Sequence, residues 1–222
     1  MKKFLVLILA IIMVLSMAAC KNEPENKSAE MPVEKEAGKD ALIEQGSSAK
    51  ALDHTGFKID VTVTATGEGS MTIEIGGRND IYWLTSAGVT VFFTEKNNST
   101  YMYYTGAWVK VADKSLKDEV FTEMVDSLLY NAYEAREYLV AAGTETKHGR
   151  PCSKYTVSAS EGGVNYSYTI WVDQEFGITM GVEAAAGSEY AAYTINPKLS
   201  NMTDNDTPSG YAAAKAATAS IV

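Results

Sequence analysis

Few residues in this chain belong to the types that carry out catalysis or hold a metal ion. The 222 residues include two Cys, at positions 20 and 152, and two His, at positions 54 and 148. A zinc site built on Cys needs more ligands, and no Gly-x-Ser-x-Gly, P-loop, HExxH or Cys-x-x-Cys pattern occurs. Asp204 and Asp206 lack the full ligand spacing of a calcium loop. The sequence therefore predicts no catalytic residue, no metal site and no cofactor, and a protein that is not an enzyme.

The net charge narrows the possible partners. Nineteen Lys and Arg stand against 28 Asp and Glu, which gives a formal charge of −9 and a pI near 4.8. A nucleic-acid partner requires a basic face, and electrostatic attachment to anionic lipid requires clustered Lys and Arg. We therefore expect no nucleic-acid partner, and the sequence leaves any protein partner unknown.

The N-terminus has the order of a secretory signal. Lys2 and Lys3 precede an apolar run, Phe4–Leu15, that is shorter than the roughly 20 residues needed to span a bilayer. The ending Met17-Ala-Ala-Cys20 resembles the lipobox of bacterial lipoproteins, with Met17 in place of the usual Leu. This resemblance implies cleavage after residue 19, a lipid on Cys20 and an extracytoplasmic protein anchored to the bacterial cell membrane. The alternatives are an ordinary signal peptide with an incidental Cys, or an uncleaved anchor.

The amino-acid composition of the rest of the chain changes along its length and indicates separate parts. Residues 21–50 carry five Lys and seven Asp or Glu, and no aromatic residue occurs between Cys20 and Phe57. Such a stretch buries too little apolar area to offset its ordering entropy. We therefore predict four parts: a signal peptide over 1–19, the lipidated Cys and a flexible acidic tether over 20–56, a folded domain over 57–200, and a frayed polar and Ala-rich tail over 201–222.

The spacing of hydrophobic residues within the folded domain changes from that of β-strands to that of a helix and back again. Period-2 alternation begins at Phe57 and continues through about six short strands that are joined by tight turns, as in an antiparallel meander. Helical spacing then runs from Leu116 to Leu139, with a break expected near Tyr130. Strands resume after Gly143. The predicted class is α+β, a curved antiparallel sheet with one long amphipathic helix inserted midway.

Three segments of this layout resemble the LolA/LolB/LppX-like superfamily of lipoproteins and carriers. They are Gly143-Thr-Glu-Thr-Lys-His-Gly-Arg-Pro-Cys-Ser-Lys-Tyr155, Tyr168-Thr-Ile-Trp-Val-Asp173 followed by Gly177, and Asp204-Asn-Asp-Thr-Pro-Ser-Gly-Tyr211. Each contains turn residues and at least one aromatic residue, and the resemblance as a whole extends over about residues 57–211. The resemblance implies an incomplete β-barrel whose apolar concave face holds lipid chains under a helical lid.

The inward-facing side chains of the predicted strands are the candidates for contact with a hydrophobic ligand, a lipid or a lipidated protein. These candidates are Ile59, Val61, Met71, Ile73, Val91, Phe93, Tyr166, Tyr168, Ile170 and Met180. The same side chains can instead pack against the helix and leave no cavity. The alternative function is then a cell-surface interaction or sensing domain with a filled core, because periodicity does not reveal volume.

Overall fold

The computed structural model describes residues 42, 46, 49–50, 56–134, 136–161 and 164–221. Eleven strands form one sheet in the order β6-β5-β4-β3-β2-β1-β11-β10-β9-β8-β7. The strands are β1 (Gly56–Ala65), β2 (Gly69–Arg78), β3 (Ile81–Ser86), β4 (Val89–Lys96), β5 (Ser99–Tyr104), β6 (Ala107–Ala112), β7 (Val140–Lys147), β8 (Arg150–Glu161), β9 (Val164–Asp173), β10 (Thr179–Ala186) and β11 (Glu189–Lys198). The predicted antiparallel sheet and its six-stranded meander are confirmed.

The helical insertion lies between β6 and β7, as the sequence predicts, and consists of short segments. A π-helix over Lys117–Thr122 leads into α1 (Glu123–Leu129), α2 (Asn131–Glu134) and a 3-10 turn, Arg136–Tyr138. The chain bends at Tyr130, where the break is expected. The helical stretch is therefore an interrupted series and not one continuous helix. A separate helix, α3 (Tyr211–Ala217), follows β11 and does not belong to this insertion.

The described residues form two compact units. Those within 1–50, 63–70 and 128–194 make up unit 1, and those within 51–62, 71–127 and 195–222 make up unit 2. Unit 2 contains β2 from Met71 onward, the strands β3–β6, the π-helix and the C-terminal helix α3. Unit 1 contains α2 and the strands β7–β10.

One face of β3 in unit 2 packs against the C-terminal segment. This contact buries a hydrophobic cluster that consists of Ile81, Trp83, Phe92, Met202, Tyr211 and Ala214. Gly76 allows this arrangement, because a Cβ there would lie 2.3 Å from the Trp83 ring. The expectation of a frayed tail is therefore wrong for residues 201–221: Tyr211 and Ala214 lie on one side of α3, and burial of that side offsets the entropy of ordering the segment.

Unit 1 contains a buried polar network beneath the break in the helical insertion. Asn131, the first residue of α2, donates a hydrogen bond from Nδ2 to the Tyr193 hydroxyl. The Thr179 hydroxyl donates to Asn131 Oδ1 at 2.8 Å. Burial raises the pKa of Tyr193, so this phenol stays protonated. The network joins α2 to β10 and β11 by bonds that have little competition from water.

The end of the predicted tether has contacts where the structure describes it. Leu42 is fully buried, and the Lys50 amide donates to the Glu175 carbonyl at 2.9 Å. Leu42 and Lys50 both belong to unit 1. Cys20 and the signal peptide lie outside the described residues, so the predicted lipidation and cleavage stay predictions.

Candidate functional site

An apolar pocket of about 230 Å³ lies in unit 2 between the meander and the helical insertion. Side chains alternate across a strand, so the face of β3 opposite the Trp83 cluster contributes Tyr82 and Leu84. The neighbouring strand β4 contributes Val91 and Phe93, which pair with Leu84 and Tyr82 respectively. The β-strand wall of the pocket is therefore built from the inward faces of two paired strands.

The opposite wall comes from the start of the helical insertion. Leu116, Phe121 and Met124 line this side, and the Phe121 ring lies 4.9 Å from the Tyr82 ring, centroid to centroid. Phe57 of β1 approaches the same Phe121 ring to 6.0 Å. The wall is thus set partly by a π-helix, a conformation that is often found at functional sites.

The polar groups at one end of the pocket hold the helix in place. The Glu95 carboxylate accepts hydrogen bonds from the Ser115 hydroxyl at 2.7 Å and from the amides of Leu116 and Lys117 at 3.0 and 2.7 Å. The Thr100 hydroxyl accepts a second bond from Leu116 N at 2.9 Å. Helix N-termini leave such amides without intrahelical partners. Glu95 therefore satisfies them and fixes the wall of the pocket to β4.

Lys117 and Tyr82 are neighbours among the residues that line the pocket. The Lys117 ammonium lies 5.3 Å from the centre of the Tyr82 ring, within cation–π range. Tyr82 is 3% exposed, and among the described residues its hydroxyl has no hydrogen-bond partner. Burial raises the pKa of Tyr82, and the nearby Lys117 charge acts in the opposite direction. Tyr82 therefore presents its ring, and not its hydroxyl, to the surface of the pocket.

Exposed apolar side chains extend the apolar face of the sheet beyond the pocket, toward the edge strand β6. Val111 lines the pocket and is 48% exposed. Val109 lies on the same face of β6, because Phe93 pairs with Met102 and Met102 pairs with Val109. Val109 is 48% exposed and Tyr104, at the end of β5, is 64% exposed. The pocket therefore opens at the edge strand, where apolar surface remains uncovered.

The ten candidate ligand contacts divide between the two units. Val91 and Phe93 line the pocket. Ile59 and Val61 are buried in β1, and Met71 and Ile73 are half-buried in β2. The other four belong to unit 1, where Ile170 and Met180 are buried and Tyr166 and Tyr168 are half-buried. The structure therefore brings together two of the ten at this pocket, and ligand contact by any of them stays a proposal.

Residues in the family-like motifs have structural partners. In unit 1, Glu145 accepts a hydrogen bond from the Trp171 indole at 2.9 Å. Fully buried Asp173 binds Arg150 Nε at 2.6 Å and the Phe176 amide at 2.7 Å. Gly177 closes this turn with a φ of +65°, as expected from its position. These contacts explain the motifs by turn formation and sheet packing.

The remaining chemistry-bearing residues are also accounted for. Cys152 is buried, and burial raises the pKa of its thiol to about 11, so the thiolate is scarce near neutral pH. In unit 2, Asp204 pairs with Arg78 Nε at 2.9 Å and Asp206 pairs with Lys198 at 2.6 Å. No group of three potential ligands that could hold a metal ion occurs in the part of the chain that the structure describes.

Tyr82, Glu95 and Lys117 are among the ten of twelve lining residues that were not candidates from the sequence. The alternation of β3 could have predicted that Tyr82 faces inward. The sequence pattern instead predicts that Glu95 and Lys117 are exposed charges, one on a strand and one on a helix. Their placement depends on the contact between Glu95 and the helix start, which lie 22 residues apart in sequence. Within the described residues, no helix has the length and apolar composition to cross a membrane.

Comparison with known proteins finds similarity at the level of solved structures. No protein-family model matches the chain, and no curated protein matches it. LprF from Mycobacterium bovis is similar at 12% identity and a TM-score of 0.41, over 78% of this chain and 98% of that one. LppX from Mycobacterium tuberculosis is similar at 17% identity and a TM-score of 0.33, over 72% and 93% of the two chains.

A third similar structure is a LolA superfamily protein from Nitrosomonas europaea. Its identity is 10% and its TM-score 0.25, over 78% of this chain and 99% of that one. Because these identities and TM-scores are low, the functional proposal rests on the geometry of the pocket.

Proposed function

We propose that this protein is a membrane-anchored extracytoplasmic bacterial lipoprotein that binds a hydrophobic ligand, a lipid or a lipidated protein, in the unit 2 pocket. The observation that carries this proposal is the pocket itself, about 230 Å³ lined mainly by aliphatic and aromatic side chains. Well-packed protein interiors leave few voids larger than a water molecule. A space of this size and composition favours a hydrocarbon ligand over a polar metabolite.

The energetics of the pocket suit an acyl chain. Each methylene moved from water into an apolar space contributes about 0.8 kcal/mol. Glu95 and Thr100 are hydrogen-bonded to the helix start, so a hydrocarbon entering beside them displaces no bond that the protein needs. The chain can therefore enter without breaking the contacts that hold the wall.

Filling the pocket is expected to abolish ligand binding. Val91→Trp places an indole inside the lined space, and Met124→Trp does the same from the helical wall. The measurement is lipid extraction and mass spectrometry of the full chain purified from a bacterial host, together with uptake of a fluorescent acyl probe. We expect near-stoichiometric lipid in the wild type and a loss of at least tenfold in both variants.

The matched control is Val164→Trp, which makes the same change at a partly exposed position of β9 in unit 1. It is expected to bind as the wild type does. A wild-type protein that carries no lipid and takes up no probe contradicts the proposed function. Equal binding by the wild type and both folded pocket variants places the ligand elsewhere.

The membrane anchor is tested at Cys20. Cys20→Ala removes the thiol that the lipobox resemblance assigns to the lipid, so the expected result is an uncleaved precursor or protein released from the membrane. The measurement is membrane fractionation with the intact mass of the protein. The control is Cys152→Ala, which leaves the N-terminus untouched. Wild-type fractionation and mature mass in Cys20→Ala refute lipidation.

One observation favours the alternative, a cell-surface interaction domain. Tyr104, Val109 and Val111 expose apolar surface along the edge of unit 2, and such surface can mark a protein contact. The two functions differ in the effect of Tyr104→Ser. An interaction domain loses its partner in this variant, whereas a chain-binding pocket keeps its lipid, because Tyr104 does not line the 230 Å³ space.

A further inference from the structure

The pocket in unit 2 has room for a single hydrocarbon chain. Its volume is about 230 Å³, and its lining consists mainly of aliphatic and aromatic side chains. A buried apolar cavity of roughly 150 Å³ binds benzene, which has six carbon atoms. At the same packing, this pocket holds about nine carbon atoms. That number suits one chain of medium length, whereas two chains side by side would each be limited to about four carbons.

Three polar side chains of the lining direct their hydrogen-bonding atoms into the protein. The Thr94 hydroxyl donates to the Asp80 carbonyl at 2.8 Å, and the Thr100 hydroxyl donates to the Lys114 carbonyl at 2.9 Å. The Glu95 carboxylate accepts bonds from the start of the helical insertion. A polar group that entered the pocket would lose its bonds to water without gaining new ones from these side chains, which is unfavourable.

Tyr82 and Lys117 also leave the surface of the pocket apolar. The Tyr82 hydroxyl is buried, and the ring of this residue is the part that borders the pocket. The Lys117 ammonium lies 5.3 Å from the centre of the same ring. The surface that a ligand meets is therefore almost entirely carbon, and it favours the hydrocarbon part of an amphiphile over its head.

The polar head of an amphiphile then stays at the mouth of the pocket. Val111 of the edge strand β6 lines the pocket and is 48% exposed, so it marks this mouth. Next to it along the chain, Lys110 and Asp113 pair with each other at 2.6 Å. Because their opposite charges offset each other, this pair favours neither an anionic nor a cationic head.

We infer that the pocket binds one hydrocarbon chain, tail first, and accepts about nine of its carbon atoms while the head stays outside. The inference rests on the proposed function of the same pocket and narrows it to a site for one chain. A lipid with two or three chains places one of them in the pocket and leaves the others outside. Selectivity then depends on the length of the inserted chain, and the chemistry of the head has little effect.

The test is a chain-length series, measured by displacement of a fluorescent apolar probe from the full chain. Fatty acids, alkyltrimethylammonium ions and alkyl maltosides of about six to fourteen carbons supply anionic, cationic and neutral heads, each below its micelle concentration. We expect binding to tighten about fourfold per methylene, the equivalent of about 0.8 kcal/mol, up to about nine carbons, and by less than about twofold per methylene beyond that length. The three heads are expected to give the same slope and the same break.

Met124→Ala is expected to move this break. Met124 belongs to the helical wall of the pocket and is half-buried. The substitution removes the Cγ, Sδ and Cε atoms, and surrounding structure relaxes only partly into such a space, so the break should shift to a chain about three carbons longer. The matched control is Met71→Ala, the same change at a half-buried position of β2 that does not line the pocket. Its break is expected at the wild-type length.

The results distinguish a failure of the inference from a failure of the proposed function. If the wild type binds no member of the three series, the proposed function fails. If it binds them but affinity rises without a break, or one type of head binds more than about tenfold tighter at equal length, the pocket binds hydrocarbon and the inference is wrong. Two amphiphiles per protein in native mass spectrometry, or the same break in folded Met124→Ala and Met71→Ala, also overturn it.

Discussion

Tyr211→Ala is expected to lower the free energy of unfolding by about 3–5 kcal/mol, the range for removing a large buried aromatic side chain. Tyr211 is 1% exposed and stands edge-on to Trp83 with ring centroids 5.8 Å apart. Its hydroxyl donates to the Arg78 carbonyl at 3.0 Å and accepts from Asn79 at 3.2 Å. The substitution removes both the packing and these two bonds.

The measurement is urea unfolding followed by tryptophan fluorescence, since Trp83 lies in the affected cluster. Tyr190→Ala is the matched control, because Tyr190 is 41% exposed on β11 and its removal is expected to cost less than about 1 kcal/mol. A Tyr211→Ala protein as stable as this control would show that the C-terminal helix contributes little to unit 2.

Asp173→Ala is the second change with a large expected effect, a loss of about 3 kcal/mol, because it breaks a buried ion pair and removes the acceptor of two turn amides. The loss lies at the lower end of the range for such pairs, since Arg150 keeps its contact with Glu175 at 3.0 Å. The fully buried carboxylate binds Arg150 through both Nε and Nη2, at 2.6 and 3.1 Å. It also accepts from the amides of Glu175 and Phe176. The β9–β10 hairpin depends on this one side chain.

Asp113→Ala is the control for Asp173→Ala. Asp113 also pairs with a cation, Lys110 at 2.6 Å, but its side chain is 89% exposed, and exposed pairs add little to stability. We expect little measurable change in its urea midpoint. Arg150→Met in the Asp173→Ala background completes a double-mutant cycle. Additive losses from Asp173→Ala and Arg150→Met would contradict a coupled ion pair.

These two residues show what the family-like motifs encode. Asp173 and Gly177 form a turn, and Tyr211 closes a core cluster. The motifs therefore describe the construction of the sheet and its cover. The pocket residues Tyr82, Glu95 and Lys117 belong to none of the three motifs, so a resemblance based on those motifs carries no information about the ligand.

Strand alternation was predictable because it is a local property. The burial of β1 alternates residue by residue from Gly56 to Ala65, in the phase that Phe57 and Ile59 predict. The break at Tyr130 was also visible as an interruption of the helical spacing. The order of Tyr211 was not, because an Ala-rich segment of a few turns is unstable alone and becomes helical only when Tyr211 and Ala214 are buried.

The candidate site was predictable only in part, for a related reason. Val91 and Phe93 follow from alternation, which identifies the face of a strand. Alternation does not predict whether the inward face of the strand packs against other side chains or borders a cavity. The pocket depends on where the π-helix begins, and Glu95 sets this through bonds to Leu116 and Lys117, far along the chain.

The sequence by itself determined the antiparallel sheet, the position of the helical insertion, the acidic charge and the resemblance of the N-terminus to a lipobox. These follow from composition, period and short motifs, which act between neighbours in the chain. Only the tertiary structure decided the volume of the pocket, the burial of Tyr82 beside Lys117 and the packing of the C-terminal helix. Each of these depends on distances between residues that are remote in sequence, and such distances are set by packing.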